Sequence, residues 1–173
     1  MAVTTALHES SYMNSQAFKF REEGNYPEAE RHQLLAVQLC ERAIGPNSTT
    51  TATSWNNLGE VYILMDRLDD AEKYLRKALK VREASNEVFD ASVSRENLAR
   101  VYECRGDLQE ARAIRWLGAP DKIACGNYKC IRETLKRKEL MKCGNCKSIF
   151  YCSAPCQKVD WKRHKKYCRK DAA

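Results

Sequence analysis

Three stretches of the chain repeat one pattern: Gly24-Asn25-Tyr26-Pro27-Glu28-Ala29-Glu30, Asp66-Arg67-Leu68-Asp69-Asp70-Ala71-Glu72 and Gly106-Asp107-Leu108-Gln109-Glu110-Ala111-Arg112. Each begins with a turn-forming pair and continues into residues that favour the start of a helix. The shared alanine advances by 42 and then by 40 positions. Internal repetition at such a period is typical of helical arrays. The sequence therefore predicts an all-α solenoid.

Apolar residues recur at helical spacing between these turns. One face of the second repeat carries Leu68, Ala71, Leu75, Ala78 and Leu79, with charges opposite. The run 57–62 matches 97–102, which lies 40 positions later. Gly45-Pro46-Asn47-Ser48 can end one helix and cap the next. We predict about three helix pairs over residues 12–118, after a flexible N-terminus at 1–11.

This pattern resembles tetratricopeptide repeats. A spacing of 40–42 residues exceeds the usual unit of about 34 and resembles the long-helix variety of kinesin light chains. The resemblance implies a curved surface that binds peptide segments of partner proteins. Asn57 and Asn97 are candidates to bond a peptide backbone, unless they serve packing between turns. Cys40 and Cys104 are predicted to be small core residues.

The third repeat is short. Its second helix can run only to about Leu117, because Gly118-Ala119-Pro120 stops it. Ile114 and Trp116 then lack a following repeat to pack against. Because solenoid ends need a cap, we expect the C-terminal module, residues 119–173, to provide it.

Eight candidate metal ligands occupy residues 125–168 in four pairs: Cys125 and Cys130, Cys143 and Cys146, Cys152 and Cys156, and His164 and Cys168. Eight thiolate and imidazole ligands complete two tetrahedra, as structural zinc requires. Gly144 is expected to let the Cys143–Cys146 backbone turn, and the last pair lies on one helix face. We predict two structural zinc ions.

The remaining classes of site are disfavoured. No secretory signal precedes residue 16, which indicates a reducing, intracellular setting, cytoplasmic or nuclear, where disulfides are rare. No apolar run reaches the roughly 20 residues needed to cross a membrane. The cysteines of the segment are all used as ligands, and neither a nucleophile–base pair nor a phosphate-binding glycine loop is evident. We expect no enzymatic activity.

The run Tyr151-Cys152-Ser153 through Cys156-Gln157 and Asp160-Trp161 to His164 and Cys168 resembles a MYND-type zinc finger. The family resemblance implies interleaved sites, with the first and third pairs sharing one ion. A sequential pairing fits the spacing equally well. The first pair departs from the family's usual two-residue spacing, since four residues separate Cys125 from Cys130.

The same resemblance implies a protein-interaction module that docks a proline-rich segment. The contacts would lie along the strand at 148–151, with Gln157 and Trp161 beside it and Asp160 orienting the ligand. Trp161 is otherwise expected to serve mainly in the core. We predict a protein–protein interaction adaptor, with a second partner segment in the repeat groove.

Two alternatives remain open. Residues 119–173 carry fifteen Lys or Arg and five Asp or Glu, a formal +10, whereas residues 1–118 have a formal −3. Such a basic segment attracts phosphates, so nucleic-acid binding is one alternative. A non-catalytic partner of a methyltransferase or transcription complex is the other, because MYND fingers accompany methyltransferase domains.

Overall fold

The computed structural model describes residues 2–130 and 134–170. Ile131, an apolar residue of the predicted finger, lies outside the described residues. The elements in chain order are α1 Ala2–Glu22, α2 Tyr26–Ile44, α3 Thr49–Leu64, α4 Leu68–Ala84, α5 Val88–Arg105, α6 Leu108–Trp116, a 3₁₀ turn Arg137–Glu139, β1 Met141–Lys142, β2 Phe150–Tyr151 and α7 Ala154–His164. The structure confirms helical repeats followed by a small finger.

The chain packs into two compact units, Met1–Glu87 and Val88–Ala173. The first contains the helix pairs α1–α2 and α3–α4. The second contains the pair α5–α6 together with the finger. The third helix pair, predicted to belong with the repeats at 12–118, thus shares a compact unit with the finger.

Turns and caps delimit the helices as their residue types predict. Gly24 and Gly106 have φ of 79° and 84°, in the left-handed region that glycine adopts without strain. Asp66 takes the equivalent place before α4 with φ 59°. The side chains of Asn25 and Asp107 accept hydrogen bonds from the backbone three residues on, which caps α2 and α6.

The alanine repeated in all three helix pairs is fully buried. Ala29, Ala71 and Ala111 are each 0% exposed. A methyl side chain lets two helix backbones approach closely, which explains why this position is small in every repeat. Cys40 is also fully buried, as predicted for a core residue, whereas Cys104 is half-buried.

The N-terminus differs from its predicted flexibility. Helix α1 begins at Ala2, within the segment 1–11. Ser10 is 1% exposed, and its hydroxyl donates to the Ala36 carbonyl at 3.2 Å and lies 2.9 Å from the Cys40 thiol. These contacts with α2 extend the helix because they bury one of its faces. The sequence pattern over this stretch was too polar to reveal them.

A methyl group added to Gly59 should destabilise the first unit. Its Cβ would lie 2.6 Å from Leu75 Cγ, a fully buried side chain. Overpacking of this kind costs about 1–3 kcal/mol, and we expect that loss for Gly59→Ala in urea unfolding. Gly144→Ala is the matched control, because nothing lies within 4 Å of its added Cβ. Equal stabilities for the two variants would contradict the close α3–α4 packing.

The finger has little regular structure. Strands β1 and β2 pair antiparallel, with Met141 opposite Tyr151 and Lys142 opposite Phe150. An isolated bridge joins Ile123 to Leu135. The buried core of the finger combines three cysteines with three apolar side chains: Cys125, Cys143, Cys146, Leu135, Ile149 and Tyr151. Among the described helices, none is both long and apolar enough to cross a membrane.

Candidate metal centre

The structure gathers the eight predicted ligands into two groups of four. The first group, zinc site 1, comprises Cys125, Cys130, Cys152 and Cys156. The second, zinc site 2, comprises Cys143, Cys146, His164 and Cys168. The ligand atoms of each group lie within 4.8 Å of one another. The pairing is interleaved, so the sequential alternative is wrong.

Distances between ligand atoms fit tetrahedral zinc. In site 1, Cys152 Sγ lies 3.6 Å from Cys130 Sγ and 3.4 Å from Cys156 Sγ. Zinc–sulfur bonds of about 2.3 Å would place tetrahedral sulfurs about 3.8 Å apart. Cys130, despite its longer spacing from Cys125, is therefore within reach of the same ion.

The ligand distances of zinc site 2, which has three sulfur ligands and one nitrogen ligand, also fit tetrahedral zinc. Cys143 Sγ and Cys168 Sγ are 3.7 Å apart, and Cys146 Sγ lies 3.5 Å from His164 Nε2. A sulfur and a nitrogen bound to one tetrahedral zinc would be about 3.5 Å apart. Both sites have four protein ligands and no open position, which is the arrangement of structural zinc rather than catalytic zinc.

Helix α7 supplies ligands to both sites. Ser153 caps it by accepting from the Cys156 backbone N–H, with Pro155 in the first turn. This cap sets Cys152 and Cys156 on either side of the helix start, where both reach site 1. His164 ends the helix, and the Cys168 backbone N–H donates to its carbonyl, so the last two ligands of site 2 face the same way.

The Cys143–Cys146 knuckle turns without help from a left-handed glycine. The residue with positive φ is Lys147, at 54°, whereas Gly144 has no positive φ. The role predicted for Gly144 is thus wrong. The turn is instead held by backbone N–H groups of Asn145 and Cys146 that bond the Cys143 sulfur.

These hydrogen bonds favour the thiolate. Burial alone raises the pKa of Cys143, but the backbone N–H donors together with hydrogen bonds from the His164 and Cys168 side chains lower the pKa to about 7. Burial likewise opposes ionisation of Cys156, yet the Asn127 amide, 3.4 Å away, helps lower its pKa to about 7. Asn145 donates in the same manner to Cys168 at 3.2 Å. Each site therefore has an asparagine that supports a metal-binding thiolate.

His164 is held by a buried carboxylate. Its Nε2 faces the site 2 sulfurs, and its Nδ1 lies 2.5 Å from Glu103 Oε1 on α5. Both side chains are fully buried. Burial alone raises the pKa of Glu103, but the His164 hydrogen bond and the charges of Arg115 and Arg163 hold it far below its usual range.

Arg115 joins this carboxylate to the rest of the unit. Its side chain is 1% exposed and donates to Glu103 at 2.8 Å and twice to Glu96, at 2.8 and 3.0 Å. The remaining nitrogen donates to the Ser148 carbonyl at 2.9 Å. The neighbouring Trp116 stacks on Phe150, with ring centroids 4.9 Å apart. The finger thus packs on α6, as expected for a cap of the last repeat.

Sequence reasoning missed Glu103 and Arg115. A signal was present, because the 40-residue register aligns Glu103 with Ile63, and Arg115 with Leu75. The third repeat replaces two apolar residues by a carboxylate and a guanidinium. Such a paired exchange at inward positions indicates a polar partner on that face.

Trp161 differs from its expected role. It is 44% exposed, while Phe150 and Tyr151 are 1% and 0% exposed and form the aromatic core. Trp161 lines a surface groove on α7 with Ala154, Gln157 and Lys158. The two residues predicted to bind peptide on the finger therefore lie together.

The strand at 148–151 offers fewer free acceptors than predicted. The carbonyls of Ser148, Ile149 and Phe150 already accept from Arg115, Cys143 and Gly126. Asp160 is 3% exposed and accepts from the Tyr151 hydroxyl at 2.8 Å and from Arg163, so it supports the core instead of facing a ligand.

The two asparagines predicted to bind peptide in the repeats have different environments. Asn57 is half-buried on α3. Asn97 is 3% exposed on α5, and its side-chain Oδ1 accepts a hydrogen bond from Arg100 at 3.3 Å. Burial makes Asn97 the weaker candidate for contact with a partner.

Comparison with known protein families agrees with this geometry. Residues 9–84 match the tetratricopeptide repeat family, and residues 124–168 match the MYND finger. The chain combines tetratricopeptide repeats with a MYND zinc finger. Both are protein-interaction modules. The two tetrahedral ligand groups are the structural zinc sites of the MYND finger.

Individual proteins resemble separate parts of the chain. BtubC (BKLC) from P. vanneervenii superposes with a TM-score of 0.58 at 29% identity, covering 61% of this chain and 43% of that one. N-lysine methyltransferase SMYD2 of Homo sapiens is 61% identical over 33 residues, 18% of this chain and 8% of the relative. MYND-type zinc finger protein samB of Emericella nidulans is 32% identical over 78 residues, 45% of this chain and 11% of the relative. The chain thus covers only a small part of these two curated relatives.

Proposed function

We propose that this chain is a non-catalytic, intracellular adaptor that binds one protein segment on its tetratricopeptide repeats and a proline-rich segment on its MYND finger. The observation that carries the proposal is the exposed Trp161 beside Gln157 on α7. An indole 44% exposed on a metal-stabilised module gives proline rings a flat apolar surface to pack on.

The groove on α7 supports recognition by side chains more than by strand addition. Three carbonyls of the segment 148–150 have intramolecular donors, which leaves less backbone for a peptide to pair with. Gln157 carries an amide that can bond a peptide carbonyl or N–H. Lys158 at the groove adds a positive charge, which favours a segment with an acidic residue near its prolines.

On the repeats, Asn57 is the candidate contact to a peptide backbone. It is half-buried on α3 and keeps partial access to solvent. An amide side chain can both donate to and accept from an extended peptide, so it holds the backbone without selecting a sequence. Specificity would then depend on the side chains around it.

The basic character of the finger supports nucleic-acid binding less strongly than its sequence indicates. Arg163 forms ion pairs with Asp160 and Glu103, and Arg137 lies over the Trp116 ring at 4.8 Å. His164 belongs to zinc site 2. These engaged side chains interrupt the runs of charge that a phosphate backbone would contact.

The Trp161→Ala variant tests the proposal. Because aromatic anchors commonly carry 2 kcal/mol or more of binding energy, we expect affinity for a Pro-x-Leu-x-Pro peptide to fall at least about tenfold. Isothermal titration calorimetry would measure the affinity, and elemental analysis would check that zinc is retained. Val159→Ala is the matched control, since Val159 is 55% exposed on the same helix outside the groove.

Two results would overturn the adaptor proposal. One is equal peptide affinity in Trp161→Ala and Val159→Ala, which would remove the groove as the binding site. The other is salt-steep binding to DNA or RNA without peptide binding, which would favour the nucleic-acid alternative. Methyl transfer by the purified chain would overturn its non-catalytic character. A role beside a methyltransferase remains compatible with the adaptor.

A further inference from the structure

The third helix pair and the finger share one buried polar cluster. Its carboxylates are Glu96, Glu103 and Asp160, and its guanidiniums belong to Arg100, Arg115 and Arg163. A histidine binds zinc only as a neutral imidazole, so the tautomer of His164 decides which nitrogen is free to bind the metal.

A neutral imidazole has one N–H and one free lone pair. Nδ1 lies against the Glu103 carboxylate, which can only accept, so the proton belongs on Nδ1. The lone pair is then on Nε2, which faces the sulfurs of site 2. Glu103 thus selects the tautomer and the ring orientation that metal binding requires.

We propose that Glu103 is the positioning residue of zinc site 2, and that through it zinc binding in the finger keeps the helix pair α5–α6 folded. Glu103 belongs to α5, 61 positions from the ligand that it orients. A metal ligand is therefore held by a residue outside the finger. Loading of the metal and folding of the last repeat become linked, because each provides the geometry that the other needs.

Two further hydrogen bonds join α5 and α6 to the finger. Arg115 on α6 reaches the Ser148 carbonyl, two residues after the ligand Cys146. Arg100 on α5 donates at 2.9 Å to the Gly126 carbonyl, next to the ligand Cys125. Both are hydrogen bonds to backbone beside a ligand. The bond from Glu103 differs from these two because it reaches the side chain of a metal ligand, His164.

Zinc affinity of Glu103→Gln is the direct test. Loss of a group that hydrogen-bonds a metal ligand weakens metal binding by roughly 10–100-fold. We expect a decrease in affinity of this size for one of the two zinc ions. Competition of the full-length protein with a chromogenic chelator would measure it. Glu96→Gln is the matched control: it removes a carboxylate from the same cluster and from Arg115, but does not contact His164. Equal zinc affinity in the two variants would overturn the positioning role.

Hydrogen exchange tests the linkage to the helices. Removing zinc from the full-length wild type should speed amide exchange in α5–α6 at least tenfold, while α1–α4 keep their protection. When chelator is added to the zinc-loaded variants, the amides of α5–α6 should lose their protection at a lower chelator concentration in Glu103→Gln than in Glu96→Gln. Unchanged protection of α5–α6 after complete zinc removal would overturn the linkage, even if the finger still binds peptide when loaded.

Discussion

Replacing Arg115 by leucine should destabilise the second unit by about 3–5 kcal/mol, the range measured when one partner of a buried ion pair is removed. Arg115 is 2% exposed and bonds both Glu96 and Glu103. Its loss leaves two buried carboxylates with less compensation and the Ser148 carbonyl without this donor. We expect the hydrophobic gain from the new leucine to be smaller than the cost of burying two carboxylates that have lost a hydrogen-bonded cation.

The remaining arginines decide where in this range the loss should fall. Arg163 stays 3.3 Å from Glu103, and Arg100 stays 3.5 Å from Glu96. Because both carboxylates keep one cation nearby, we expect a value near the lower end. Urea unfolding of the zinc-loaded chain, followed by hydrogen exchange in α5–α6, would measure it.

Arg112→Leu is the control for this variant. Arg112 is exposed on the same helix, and exposed substitutions usually change stability by no more than about 0.5 kcal/mol. Leucine stands at the position equivalent to Arg115 in the second repeat, as Leu75, where it is fully buried. A loss below about 1 kcal/mol for Arg115→Leu would show that the third helix pair tolerates the leucine found at this position in the second repeat. The charged cluster would then contribute little to the stability of the second unit.

Removal of one zinc ligand is expected to have the largest effect on the finger. The wild type should contain two zinc ions per chain, one for each ligand group, and Cys130→Ser about one. Structural zinc contributes roughly 10–16 kcal/mol per site, which is comparable to the roughly 5–15 kcal/mol of net stability typical of a whole domain. Because half of the buried core residues of the finger are metal-binding cysteines, we expect the finger to unfold without that contribution.

Elemental analysis of the purified variants would count the zinc ions, and circular dichroism would follow folding. Cys40→Ser is the matched control, since Cys40 is a buried cysteine near the hydroxyls of Ser10 and Ser54 and outside both ligand groups. It should retain two zinc ions. One zinc ion in the wild type, unchanged in Cys130→Ser, would show that the pair Cys125 and Cys130 does not form a site.

The zinc ligands could be predicted from sequence because their chemistry is local. Thiolates in closely spaced pairs have few alternatives in a reducing setting, and the pairs need no knowledge of distant residues. Their pairing into two sites could not be derived from spacing alone, since two arrangements satisfied it. The resemblance to the MYND family indicated the interleaved one, and the grouping of Cys125 and Cys130 with Cys152 and Cys156 confirms it.

The surface residues were less predictable. Trp161 was expected mainly in the core because large aromatic residues usually are buried, yet Tyr151 and Phe150 occupy that space. Which of several aromatic residues fills a small core depends on the direction in which each element enters it. That direction follows from the metal-ligand geometry, so the local sequence does not contain it.

By itself, the sequence determined the elements of this protein: a repeated helix pair marked by Ala29, Ala71 and Ala111, and eight ligands for two zinc ions. Periodicity and ligand spacing are properties of residues close together in the chain, so both can be recognised without the tertiary structure. Only the tertiary structure placed Glu103 against His164, 61 positions apart. A buried carboxylate needs partners to offset its lost hydration, and only the folded chain brings its partners, Arg115, Arg163 and the imidazole, to it.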